Sequence, residues 1–120
     1  MGPVNWIAVI VAAIVATALG AVWQARTTRP TPQSIALVLA GMLLSATMIG
    51  HNFARVGPET LHAKPWLYFM MSGGLALAFV APALYIGLAR YGVSRADRAR
   101  DCGYWIAAYL AMGAVFWGLS

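Results

Sequence analysis

Residues 4–23 read VNWIAVIVAAIVATALGAVW. No charged side chain interrupts this run. A bilayer core of about 30 Å is crossed by roughly 20 apolar residues in a helix, so the stretch is long enough to span. A cleavable signal peptide wants a positive start and a shorter apolar core. No Lys or Arg precedes this run, and it is expected to remain as a first membrane helix. It also carries Ala8, Ala12, Ala16 and Gly20, a small residue at every fourth position. On a helix that spacing draws one continuous small stripe.

The pattern recurs along the chain. Apolar blocks occupy about residues 33–53, 66–89 and 103–119, which predicts four spans in all. Hydrophobic residues make up 62% of the 120 positions and charged residues 9%. A soluble domain carries about 25% charged residues, so this chain could not cover its surface for water. The predicted class is a single all-α integral membrane domain, 1–120, built as an antiparallel bundle of four transmembrane helices with short loops. The last block is short, but SRAD at 94–97 fits a capping box, with Ser94 as N-cap and Asp97 reaching back, so its helix is expected to start near Arg95.

Aromatic residues sit near the predicted span ends: Trp6, Trp23, Trp66, Tyr68, Tyr85, Tyr91, Tyr104, Trp105 and Trp117. Such amphipathic rings settle at headgroup level. The net charge of +5 does not indicate a nucleic-acid partner, because the basic residues lie between apolar blocks. In a membrane protein they report orientation. The first and third loops hold Arg26, Arg29, Arg90, Arg95, Arg98 and Arg100, six positive residues against two, Arg55 and Lys64, in the second loop. The positive-inside rule then makes those six arginines cytoplasmic anchors and puts both termini and the second loop outside. Cys102 is the only cysteine and cannot form an internal disulfide; beside the arginine-rich loop it reads as a reduced cytoplasmic thiol.

Lipid gives helices no hydrophobic drive to associate, so small residues must allow close packing. Besides Ala8, Ala12, Ala16 and Gly20, the expected packing positions are Gly41, Ser45, Gly74, Ala78, Pro82, Ala107 and Ala111. Pro82 cannot donate to the carbonyl of Ala78 and is expected to kink the third span. Thr17, Ser45, Thr47 and Ser72 are the polar residues at depth, and each can bond to its own helix backbone. No ionisable residue lies deep in a span, which argues against an ion-coupled carrier made from one chain.

Ligand-type side chains gather only in IGHNFARVGPETLHAKPW, residues 49–66. His51, Asn52, Arg55, Glu59 and His62 are the candidate ligand-binding residues. His51, Glu59 and His62 could supply three zinc ligands, but no HExxH or cysteine pair supports a metal. His51 could serve as an axial haem ligand, and Arg55 could bind a carboxylate or steady a thiolate. The simplest reading is a helix end and a turn. Gly57-Pro58 stops the second span, His51 and Arg55 share a face pointing to the headgroups, and Pro65 enters the first turn of the third.

Three segments carry a resemblance: the start VNWIAVIVAAIVATALGAVW, FVAP at 79–82, and the closing GYWIAAYLAMGAVFWG at 103–118. Together they resemble domain-of-unknown-function family 1761, over about half the chain and in the expected order. That resemblance implies a small four-helix protein of a bacterial inner membrane and transfers no catalytic residue. Many relatives of that family carry a longer polar segment where this chain has QARTTRPTPQ.

The favoured functional reading is a non-enzymatic structural or accessory subunit with no cofactor and no catalytic residues. Its expected partners are the bilayer and either copies of itself or a larger membrane complex. Two alternatives stand beside it. One is a membrane-embedded enzyme or cofactor binder using the 51–62 loop; the other is an oligomeric pore or carrier.

Overall fold

The computed structural model describes residues 4–23 and 32–120, and all its regular elements are helices. They are α1 (Trp6–Trp23), α2 (Pro32–Val56), α3 (Pro58–Ala63), α4 (Trp66–Leu75), a π turn (Ala76–Val80), α5 (Ala81–Arg90) and α6 (Arg95–Gly118). α4, the π turn and α5 form one continuous helix, Trp66–Arg90. Arg26 and Arg29 lie outside the described residues.

Among the described residues, three helices are long and apolar enough to cross a membrane: Trp6–Trp23, Pro32–Val56 and Trp66–Arg90. α6, expected as a fourth span, has the length but opens with Arg95, Asp97, Arg98, Arg100 and Asp101, which dilute its apolar character.

The helices alternate in direction. The Asn5 amide at the start of α1 donates to the Leu119 carbonyl at the end of α6 (3.1 Å). At the opposite end, Trp23 Nε1 donates to the Arg100 carbonyl (3.2 Å). α1 packs between α2 and α6, and α6 packs between α1 and the Trp66–Arg90 helix. α2 and the Trp66–Arg90 helix meet chiefly at one end. The bundle is therefore open along one side.

Small side chains build the interior. Ala8, Ala12 and Ala16 are fully buried, as their four-residue repeat predicts, together with Ala13, Ala46, Ala76 and Ala108. Gly20 continues that stripe, because a side chain there would meet the Tyr104 ring and hydroxyl, the latter at 2.7 Å. Ala107 and Ala111 are half-buried beside the fully packed Ala108 and Met112. Three of the expected packing positions make no close contact within the chain. Gly41 has nothing within 4 Å of a would-be side chain, Gly74 faces only Met70 of its own helix, and Ala78 is exposed. The close approaches fall instead at Gly73, against Leu110, and at Gly113, against Ser72 and the Tyr68 carbonyl. Consecutive helix residues point about 100° apart, so neighbouring glycines face different partners.

Pro82 is exposed. Immediately before it the helix widens: the Ala81 N–H donates to the Ala76 carbonyl, five residues back. With no proline N–H to give to Ala78, the ladder takes one π turn immediately before Pro82 and continues.

The polar residues at depth divide. Thr17 donates to the Ala13 carbonyl (2.8 Å), Thr47 to Leu43 (2.7 Å) and Ser72 to Tyr68 (2.7 Å), all within their own helices. Ser45 differs, since its hydroxyl pairs with that of Tyr109 across from α2 to α6 (2.8 Å). Tyr68 and Tyr104, expected at the headgroups, are core residues, and Tyr104 donates to the Ala16 carbonyl (2.8 Å). Trp6, Trp23, Trp66, Tyr91 and Trp117 are exposed near helix ends.

Candidate functional site

The second connection is more ordered than a turn. α2 runs through Arg55 to Val56, and Gly57 breaks it with a φ of 94°. That left-handed value suits a residue without a side chain. Pro58 then opens the short helix α3, where its missing N–H costs nothing. Pro65 stands just before α4 as its cap residue. α3 lays Leu61 into the bundle with 4% exposure and leaves Glu59 and His62 on its outer side.

The five candidate residues do not converge. His51 is exposed; its ring lies edge-on to Trp6 (5.7 Å between centroids) and its Nδ1 donates to the Thr47 carbonyl (2.8 Å). Asn52 is half-buried, and Arg55 and Glu59 are exposed. Of the five, His62 lines the cavity at this end of the bundle. Among the described residues no three of His, Cys, Asp and Glu approach one another as a ligand set. Spacing in the sequence suggested a cluster, but α2 carries His51 and Arg55 outward on one face while α3 turns Glu59 away.

The hollow at this end has other walls. It holds about 250 Å³ and lies between the start of α1, the ends of α2 and α6, α3 and the start of α4. Gly50, Phe53, Ala54, Pro58, Leu61 and Phe116 supply the apolar lining, and Asn5, His62, Tyr68 and Ser120 the polar one. Phe53 sits at the centre of an aromatic group, edge-on to Tyr68 (5.0 Å) and to Phe116 (5.2 Å). A side chain at Gly50 would stand 2.9 Å from Val9 and 3.2 Å from Phe116, so the floor depends on that glycine.

Asn5 fixes one rim. Its side-chain oxygen accepts from the Ala8 N–H (3.1 Å), capping α1, while its amide holds Leu119 (3.1 Å). Ser120 donates to the Trp117 carbonyl (2.6 Å). Tyr68 is different: its side chain is a core residue at 3% exposure, but its hydroxyl is not a sealed atom and makes no hydrogen bond among the described residues. The sequence did not single out Asn5, although an asparagine just ahead of an apolar helix is a preferred N-cap. It did not reveal Tyr68, whose position one turn from Ser72 matters only because α6 passes Gly113 against that turn.

A second hollow opens sideways where α2 and the Trp66–Arg90 helix diverge. It holds about 290 Å³, with Leu44, Met48, Leu75 and Phe79 on its sides and the Ser45–Tyr109 pair inside. It is shallow and almost wholly apolar.

No family model matches the chain, and neither the curated proteins nor the solved structures contain a match.

Proposed function

We propose that the chain is a four-span protein of a bacterial inner membrane that serves as a non-enzymatic structural or accessory subunit. One observation supports this above the others: large aliphatic side chains stand on the outer surface while alanines and glycines sit at the close contacts between helices. Alanines and glycines fill the contacts between helices, whereas Ile7 (71% exposed), Leu37 (75%) and Leu44 (75%) stand on the outer surface. Water would penalise that arrangement by roughly 25 cal/mol for each Å² of apolar surface left exposed. In hydrocarbon the large side chains cost nothing, and close backbone approach supplies the attraction between helices.

In this reading α6 is the fourth span, its charged first turns standing in the cytoplasmic headgroups. Arg95, Arg98 and Arg100 lie there with Arg90, while α3 and the two ends of the chain face outward. The Arg98 guanidinium lies 4.6 Å from the centre of the Tyr85 ring, a cation–π contact that suits the aromatic belt. Gly74 and Ala78, small but not used inside the chain, offer a surface for a second copy or another membrane subunit. The resemblance to family 1761 belongs to the same proposal.

The orientation is tested with single cysteines in a Cys102→Ser background. A cysteine at Thr60 should react with a membrane-impermeant thiol reagent added to the outer side of the inner membrane, and one at Gly92 should react only after permeabilisation. The reverse pattern would overturn the orientation, and equal labelling from one side would overturn the four-span count.

A further inference from the structure

We infer that the cavity between α1, α3 and the α2, α4 and α6 ends binds a neutral substituted ring that carries an oxygen. An apolar cavity of about 150 Å³ is enough to take up benzene. This one, at about 250 Å³, has room for a ring with substituents. Phe53, Tyr68 and Phe116 line it with edges and faces already at angles of 61° and 66° to one another. Such edge-to-face geometry accepts a further ring.

Charge and hydrogen bonding narrow the class. No Lys, Arg, Asp or Glu is among the described residues that line the cavity, so an ion would lose its hydration without a counter-charge. A plain hydrocarbon would take the accessible Tyr68 hydroxyl out of water and give it no partner in return. An unmade hydrogen bond at such a site is costly, and a phenol, ether or ring carbonyl oxygen would make it. His62, at the rim, offers a ring nitrogen to a second oxygen. The inference does not depend on the orientation proposed above, because the walls are the same whichever side of a membrane they face.

The test uses the full chain in detergent with methyl-labelled leucine, titrated with 4-propylphenol and with propylbenzene. Leu61 lines the cavity, and Leu37 is a remote, exposed reporter. The phenol should shift the Leu61 methyls saturably while Leu37 follows only the linear effect of partitioning into the micelle. Propylbenzene should bind about three- to ten-fold more weakly, the worth of one hydrogen bond. Tyr68→Phe removes a hydroxyl that holds nothing in the chain, so its fold should persist and its affinity for the phenol should fall to that for propylbenzene. Ala54→Phe fills the cavity and should abolish the Leu61 shift. A Leu61 response that stays linear like that of Leu37, or an affinity for the phenol unchanged by Tyr68→Phe, would overturn the inference.

Discussion

At the residue scale, Gly113 is where the helices of this chain come closest. A methyl group there would stand 2.5 Å from the Tyr68 carbonyl, which is backbone and cannot swing aside. The α4 and α6 helices would have to separate. Overpacking of that kind costs about 1–3 kcal/mol. Gly113→Ala should therefore lower the midpoint of denaturant unfolding in detergent, whereas Gly41→Ala, with open space around it, should leave it unchanged or slightly raised. The Ser45–Tyr109 pair makes a gentler prediction. Hydrogen bonds between membrane helices average about 0.6 kcal/mol. Ser45→Ala and Tyr109→Phe should each destabilise by about that amount, and the double variant by no more than either alone beyond the loss of shape. A double-mutant cycle on the unfolding free energy checks this, and strict additivity would mean that the two hydroxyls do not interact.

At the element scale, the start of α6 shows how far local sequence carries. Ser94 was expected to cap it in a reciprocal box, and its hydroxyl does accept from the Asp97 N–H (3.3 Å). The return half of the box is not what Asp97 makes; its carboxylate pairs with Arg100 instead (3.4 Å). Both are near in sequence, so either was legible in kind, and only the rotamer chose between them. Ser94→Ala should cost about 1 kcal/mol and fray the first turn, seen as faster amide exchange at Arg95 to Arg98. Asp101, one turn on, is held above the usual carboxylate range by burial first, then by Asp97, with Arg100 opposing. A carboxyl raised in this way is at ease protonated, so the fold is more stable below the unfolded-state value and loses that margin as pH rises through the folded value. Melting temperatures taken across the acid range should show that decline in the parent and less of it in Asp101→Asn. The same helix explains what sequence could not supply. Gly73 and Gly74 are equivalent in a list of residues, and only the path of α6 makes Leu110 the neighbour of one and leaves the other bare. His51 and Arg55 share a face as their spacing predicts, but no local rule says that the cavity lies on the other face, behind Gly50 and Phe53.

At the scale of the whole molecule, the all-helical class was legible because it follows from composition and block length alone, and the α1 stripe because its repeat needs no partner to be seen. The arrangement of helices was not, since it depends on which small residues meet. α1 and α6 form the middle, and α2 and the Trp66–Arg90 helix stand on the flanks without closing the far side. The large apolar residues left outside include Leu77 (64% exposed) and Phe79 (68%), on the helix that also exposes Ala78. A small residue between two large ones makes a notch into which another helix can settle, and filling it should block that contact without touching the interior. Ala78→Leu is therefore expected to leave the unfolding midpoint of the chain within about 0.5 kcal/mol of the parent, as surface substitutions do. If the chain assembles through this face, the mass measured in nanodiscs should fall from a multiple of 12.8 kDa to that of a single copy. A parent that is already monomeric would remove the self-association in the proposal, and a variant that keeps the full assembled mass would place the contact on another face, such as the one around Gly41.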